Sequence, residues 1–479
     1  MTTRPRVLIV VFDGLRPDLV TPAHMPVLAD FVNSGCRFPN SRCVFPSATR
    51  VNSAALGAGA YPSETGLVGN LFYDPAVFSD RVIHTGKREH IEKAEAAYAG
   101  RFIDGDTLGD VLAANGLEFV VVGSGSAGTT RLVNPRAEAN GQVSFCMRDW
   151  SVSTPVDLAD DVLERFGPIA EIGHPSTARM EQHTTMFIEG VFPARKPDVS
   201  LLWYNEPDWT QHFKGLGSPE ANGALETLDR QFHRLLEWSK SGGVDGPVEI
   251  VVLSDHGHIT ARAKIDLAKE FDRAGFEFRP EADGNKPFVA HLGNTGAVWL
   301  NDGKAGTDVI AWLNDQPWCG LVFAKDDDVR AFDRALLNNG HERSPDLFFT
   351  LRSDATKNDT GVAGSGLSAA ADIPVGGAFH GGPSRWEMNN LLAFGGPGFR
   401  QSTAYDFPAG IVDVAPTVLS MFGIEAPPKM SGRVLHEAFG DRTPPSTKPD
   451  IIEIRHGNKV ARVAAFEGVR YFLDGEVQE

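Results

Sequence analysis

Three short apolar runs each end in a carboxylate, and no other feature constrains this chain as strongly. Residues 7–12 lead into Asp13, residues 200–205 into Glu206 and Asp208, and residues 250–254 into Asp255 and His256. The runs are continuous rather than alternating, which is the pattern of parallel strands covered on both faces. Residues 119–122 form a fourth such run. Helical patterns lie between them at 25–33, 107–115 and 220–239, and each stops at a glycine just beyond its end (Gly35, Gly116 and Gly242-Gly243). Strands alternating with helices predict an α/β fold: a doubly wound, mostly parallel sheet flanked by helices. In such sheets the ligand site lies at the carboxyl ends of the strands. If the three runs are neighbours, their acids converge there.

The segment 264–373 reads differently. It mixes strands (296–300, 347–351) with helices (308–314, 327–338), and a stretch rich in Gly, Ala, Ser and Asp (353–377) overlaps its end. It is expected to be a smaller α+β cap inserted into a discontinuous catalytic domain, 1–263 and 374–440. That domain resumes with a strand at 391–394 and a helix at 413–422. The remainder, 441–479, begins with the Pro-rich linker PPSTKP and is expected to end in a β-hairpin, 460–466 with 469–473.

Charge limits the partners. The chain carries 45 Lys plus Arg against 62 Asp plus Glu, a net −17. That excludes a nonspecific nucleic-acid polymer binder, which needs basic clusters to displace counterions. A small anionic substrate is still allowed if bound cations supply local positive charge. No apolar run is long enough to span a bilayer, so no membrane partner is expected. Arg4-Pro5-Arg6 followed by only six apolar residues lacks the apolar core of a secretion signal. The expected location is cytoplasmic. Cys36, Cys43, Cys146 and Cys319 are scattered without a CxxC pair, so free thiols are expected.

Several carboxylates brought together would repel one another and take up protons, and a divalent cation removes that cost. Asp208 and His212 stand at i and i+4, on one face if the turn is helical. Oxygen with imidazole suits zinc or a similar ion. His256 follows Asp255 directly, and His380 comes late, in a Phe-His-Gly-Gly stretch whose glycines let the backbone pass close to a site. His258 could also bind metal, but it is expected to be a turn residue. Thr49 opens a helical run, 49–59. It is either an N-cap or a hydroxyl activated at a helix N-terminus beside a metal. Trp203 and Tyr204 are expected in the core. Trp209 flanks the acidic cluster.

Taken together, the set resembles the alkaline phosphatase superfamily, and within it the type I phosphodiesterase/nucleotide pyrophosphatase branch. The matching pieces run in order: VFDGLRPD at 11–18, T-x-x-N-x-A-x-L-x-x-G at 49–59, YPSETGLVGN at 61–70, NEPDWTQH at 205–212, SDHGH at 254–258, FHGG at 379–382 and DVAPTVLSMFGIEAPPKMSGRVL at 413–435. The resemblance implies two divalent ions, usually zinc, with manganese or iron as the other choices. Asp208, His212 and His380 take the ligand positions of one ion. Asp13, Thr49, Asp255 and His256 take those of the other. Thr49 takes the nucleophile's place, and Asn70 that of a residue donating a hydrogen bond to a phosphoryl oxygen. A two-step displacement through a phosphothreonine follows, acting on a small soluble phosphate ester.

Three features depart from that pattern. An aromatic residue often follows the nucleophile, and here it is Arg50, which could bind an anionic group of the substrate or cover a helix face. Thr65 stands where relatives carry a His. The third departure is the missing secretion signal. Phosphonoacetate hydrolysis and phosphomonoester hydrolysis use the same metals. The first calls for lysines near the substrate, and residues 124–131 contain none. A silent metal- or anion-binding module is the non-enzymatic alternative.

Overall fold

Strand β1 (Arg6–Phe12) runs through the middle of the molecule and is buried along nearly its whole length. Val7, Ile9 and Val11 pack into the apolar layer on one face of the sheet, and Leu8, Val10 and Phe12 into the layer on the other. That two-sided burial is why the run is apolar at every position. The computed structural model describes residues 4–241, 244, 246–276, 288–300, 303–325 and 328–478.

Four more parallel strands, β2 (Phe119–Gly123), β3 (Val143–Cys146), β4 (Val199–Tyr204) and β5 (Val248–Leu253), join β1 in the order β5-β1-β4-β2-β3. Strand β6 (Leu392–Gly395) adds antiparallel to β5, and the short strands Cys36–Arg37 and Thr403–Ala404 complete eight. Helices cover both faces. The fold is thus a mostly parallel α/β sheet. The register is what matters for function: Phe12 pairs with Tyr204 and Val11 with Leu253. Asp13, Glu206 and Asp255 therefore leave the sheet at one edge, the carboxyl end of three adjacent strands.

A four-stranded sheet built on Ile259–Lys264 links this body to the insertion. Ser353–Lys357, Ala363–Ser368 and Ala378–Phe379 complete it. The stretch rich in small residues therefore contributes two strands. Beyond it lies a five-stranded sheet in the order Phe288–Leu292, Thr295–Trp299, Leu347–Leu351, Cys319–Ala324, Phe332–Asp333. Helices Leu267–Arg273 and Gly303–Asp315 flank that sheet, and Leu267, Phe271, Val309 and Leu313 close its core.

The helix expected over 327–338 does not form in the described residues. Phe332–Asp333 pairs as a strand beside Phe323, the Asp333 side chain accepts the Ala335 N–H, and a single 3₁₀ turn ends at Asn338 in the left-handed region. Residues 242, 243 and 327, on which two of the sequence expectations fall, lie outside the described residues. The C-terminal extension is three-stranded: Asp450–His456 pairs with Lys459–Phe466, which pairs with Val469–Val477. Phe472 and Val463 pack with Phe45 and Phe323, tying the extension to the insertion. All four cysteines are buried free thiols. Among the described residues no helix is long and apolar enough to cross a membrane.

Candidate active site

The loop after β1 turns at Gly14, whose φ of +70° is left-handed and whose missing side chain leaves room for an imidazole: a Cβ there would stand 2.6 Å from His258 Cε1. The Gly14 N–H donates to Asp255 Oδ1 at 2.9 Å, which fastens two strand ends together. Asp13 is fixed by Trp203, whose indole N–H donates to Asp13 Oδ2 at 3.0 Å. Trp203 is core, as expected, but its polar edge also orients the carboxylate. After β4 the chain enters helix α2 (Asp208–Lys214), which puts Asp208 and His212 one turn apart with Nε2 3.2 Å from Oδ1.

Helix α1 (Thr49–Ala58) faces this edge with its N-terminus. Thr49 is the first helical residue, and its side chain makes no cap. Instead Oγ1 lies 3.1 Å from His256 Nε2 and 3.5 Å from Asp13 Oδ1. The N-cap alternative is therefore wrong for this threonine. Asn70 Oδ1 accepts the Arg50 backbone N–H at 3.1 Å, so the amide is held against the first turn of α1.

Two clusters result. Asp13, Asp255 and His256 form one, and Asp208, His212, His258 and His380 form the other; the ligand atoms in each lie within 4.8 Å of one another. They adjoin, with the His256 and His380 rings stacked at 3.8 Å. His258 is not the turn residue expected. It is fully buried in the second cluster, with Nε2 3.0 Å from Asp208 Oδ1. A lone imidazole after Asp-His-Gly carries no sequence pattern that would have shown this. The signal lay in the pairing of Ile259 with Phe379, which sets His258 beside His380.

The electrostatics of the clusters differ. Burial, then the charges of Asp255 and Asp208, pushes Asp13 well above the usual carboxylate range. Burial also raises Asp255. Burial acts the same way on Asp208, but the His212 charge and hydrogen bonds from His212 and His258 overcome it and hold Asp208 well below that range. Burial pulls His258 down to about 4 and His380 well below an ordinary imidazole. Asp208 Oδ1 and Asp255 Oδ2 are buried with imidazole nitrogens beside them, His258 Nε2 3.0 Å from the first and His256 Nε2 3.2 Å from the second. Buried oxygens and neutral imidazoles with free lone pairs are a donor set for a divalent cation. The residues present fit two such ions.

A cavity of ≈ 610 Å³ opens above the clusters. Thr49, Asn70, Asp13, Asp208, His212 and His380 line one side; Arg50, Arg148 and Trp209 line another. The insertion and its link contribute Gly293, Ala370, Asp372 and Ile373. Trp209 stacks on His174 at 5.6 Å and carries the Arg148 guanidinium 5.2 Å over its ring. Arg50 Nε donates to Thr85 Oγ1 at 2.9 Å, and burial brings Arg50 down to about 10. Sequence reasoning missed Arg148, which stands two residues beyond β3 with no motif around it.

A mostly parallel sheet with a histidine- and aspartate-rich centre at its carboxyl edge defines an alkaline-phosphatase-like α/β protein. The family model for type I phosphodiesterase/nucleotide pyrophosphatase matches residues 7–351, and the chain belongs to that family. It is 23% identical over 255 residues to mouse ectonucleotide pyrophosphatase/phosphodiesterase family member 1, covering 53% of this chain and 24% of that protein. It is 24% identical over 253 residues to an uncharacterized pyrophosphatase/phosphodiesterase of Schizosaccharomyces pombe, covering 52% of this chain and 44% of that one. The chain thus spans well under half the length of these curated relatives. The solved structure of murine ectonucleotide pyrophosphatase/phosphodiesterase 5 superposes with a TM-score of 0.62 at 17% identity, covering 88% of this chain and 96% of that one. This last likeness concerns the fold.

Proposed function

We propose that this protein hydrolyses phosphate diesters through a covalent phosphothreonine at Thr49. One observation carries the reading: the Thr49 hydroxyl sits at the start of a ten-residue helix, 3.1 Å from His256 and 3.5 Å from Asp13, at the junction of the two clusters. Asp208, His212 and His380 would hold one divalent ion. Asp13, Asp255, His256 and Thr49 would hold the other. When bound, such ions lower the pKa of a coordinated hydroxyl and neutralise charge on phosphoryl oxygens.

The chain's own residues do the rest. Thr49 Oγ1 attacks phosphorus, forming the Oγ1–P bond as the bond to the leaving oxygen breaks. Water then attacks the phosphothreonine, and the P–Oγ1 bond breaks to return Thr49. Free N–H groups in the first turn of α1 and the Asn70 amide stabilise the nonbridging oxygens in both steps. His256 Nδ1 faces the Gly257 carbonyl at 3.1 Å, which turns Nε2 toward Thr49. A solved relative bears on the threonine: an inactive threonine-to-alanine variant of murine ectonucleotide pyrophosphatase/phosphodiesterase 5 is described in complex with AMP.

Arg50 and Arg148 line the same cavity, and neither has an ion-pair partner among the described residues. Their planar forks suit phosphate or carboxylate. The favoured substrate is a small soluble ester carrying a second anionic group beside the scissile phosphate. No lysine lines the cavity among the described residues, and this disfavours phosphonoacetate.

Zinc-loaded protein is assayed with bis-p-nitrophenyl phosphate, thymidine monophosphate p-nitrophenyl ester, p-nitrophenyl phosphate and phosphonoacetate. Diester turnover is expected to dominate. A clear preference for either of the last two would overturn the diester assignment. Metal content of about two ions per chain is expected, and none after reconstitution would support a silent binding module instead.

A further inference from the structure

Beside Thr49 the cavity wall carries three nitrogen-rich side chains, Arg50, His84 and Arg148. We propose that these three form a subsite for a terminal phosphate dianion, so that the substrate is a diester whose far end is a phosphomonoester. The proposal rests on the diester reading above and deepens it: it adds His84 to the site and names the class of the second anionic group.

Arg50 is anchored along one edge. Its Nε donates to Thr85 Oγ1 at 2.9 Å, and that hydroxyl donates onward to the Asn70 carbonyl at 2.9 Å. Two glycines leave room for the side chain: a Cβ would stand 3.0 Å from Arg50 Cδ at Gly128 and 3.3 Å from Arg50 Cζ at Gly86. Both Nη groups have no hydrogen-bond partner among the described residues. The Asp13 and Asp208 charges reach Arg50 from the cluster side, and cations held by those clusters would offset them.

His84 is half-buried at the same wall, and a backbone group fixes its tautomer. The Gly86 N–H can only donate, and it meets His84 Nδ1 at 3.1 Å. Nδ1 is therefore the acceptor, and the ring carries its proton on Nε2. That N–H has no partner among the described residues. Burial, then the Arg50 and Lys87 charges, holds the imidazole down at about 4, so near neutral pH it is an uncharged donor. The open face of Gly86 sets it beside Arg50: a Cβ there would also stand 3.0 Å from His84 Cε1.

Arg148 closes the subsite from the Trp209 ring, and its charge also depresses Arg50. Asp149 beside it gives Oδ1 to the Ser151 N–H at 3.2 Å and makes no ion pair with Arg148 among the described residues. One guanidinium fork is enough for a carboxylate. A phosphomonoester carries roughly −1.5 to −2 charges and three acceptor oxygens at neutral pH, which calls for more. Two guanidinium groups and an uncharged N–H supply it.

The test is calorimetric titration of zinc-loaded protein with ethylphosphonate, phosphonopropanoate and a series of α,ω-alkane bisphosphonates of increasing length, none of which can be turned over as an ester. One bisphosphonate is expected to bind at least about 30-fold tighter than ethylphosphonate, and phosphonopropanoate less than about 10-fold tighter. His84→Asn keeps an oxygen for the Gly86 N–H and removes the Nε2 donor. It should cut the bisphosphonate-to-ethylphosphonate ratio about 5- to 10-fold, whereas a purely structural role would weaken both ligands alike and leave the ratio unchanged. Equal binding of ethylphosphonate and every bisphosphonate overturns the subsite, whether or not diesters are turned over. So does a bisphosphonate advantage that survives Arg50→Ala, since it would come from the metal ions. Phosphonopropanoate as tight as the best bisphosphonate overturns the dianion. Selective bisphosphonate binding by protein that hydrolyses no diester sustains the subsite and removes the diester reading.

Discussion

The two clusters share one cavity floor and answer burial in opposite ways. Around Asp208, three imidazoles face one carboxylate, and the carboxylate stays ionised well below its usual range. Around Asp13 and Asp255, two carboxylates face one imidazole, and both are pushed upward. The imidazole-rich cluster is close to neutral balance before any ion arrives. The carboxylate-rich cluster carries an uncompensated repulsion that only a cation or protons can relieve. On the proposed reading the difference divides the roles: one cluster is preorganised to position an ion, and the other would gain most from one, beside the Thr49 hydroxyl.

Thr49→Ala is the sharpest cut between the clusters, because it removes the proposed nucleophile and spares the imidazole-rich side. Diester turnover should fall at least about 10³-fold while zinc content at that side and the thermal midpoint stay near wild type, as read by metal analysis and calorimetry. Retained turnover would require water as the direct nucleophile. Asp255→Asn comes next, removing the negative charge of a proposed ligand while keeping an oxygen to accept the Gly14 N–H. Zinc should drop from about two ions toward one, and activity should collapse with it. Loss of both ions would show that the clusters do not fill independently.

Arg50→Ala should leave both ions in place and raise KM by roughly 10–100-fold for esters with a second anionic group, in line with about 1.5–3 kcal/mol for a hydrogen bond to a charged group. Esters lacking that group should be affected much less in steady-state assays. Trp203→Phe keeps the core volume and removes the N–H that holds Asp13. It should weaken zinc on the carboxylate-rich side by about 10-fold and leave the other ion unchanged in chelator competition.

The smallest effect is in pH. Asp13 and Asp255 are raised, so in metal-free protein they favour folding at low pH, and that contribution is lost as pH rises above their unfolded value of 3.8. Asp208 is depressed, so its contribution is present above 3.8 and lost only as pH falls below it. The gap in thermal midpoint between zinc-loaded and metal-free protein should therefore widen as pH rises. In metal-free Asp13→Asn this pH dependence should flatten. A gap independent of pH would remove the proposed contrast between the clusters.

The acids Asp13, Asp208 and Asp255 were legible in the sequence because parallel strands bury both faces and end together. A continuous apolar run with a carboxylate after it marks both strand and site. His256 and Thr49 were legible from position, beside Asp255 and at a helix start. His258 was not, since its role depends on a pairing between strands 120 residues apart in sequence. Trp203 read as core because it is core, and only the direction of its N–H gives it a second task. The strand Asp450–His456 escaped because it is an exposed edge, with Ile451 65% and Ile452 49% accessible, so its pattern does not follow burial. The run 327–338 misled because a helical spacing was interrupted by a local Asp333 turn.

The central claim is that Thr49 is displaced onto and off phosphorus in two successive steps. Stereochemistry at phosphorus reads this directly: zinc-loaded protein is given a chiral phosphorothioate diester in ¹⁸O-water and the product configuration is determined. Two in-line displacements predict net retention. Net inversion would mean a single attack by water and would contradict the account.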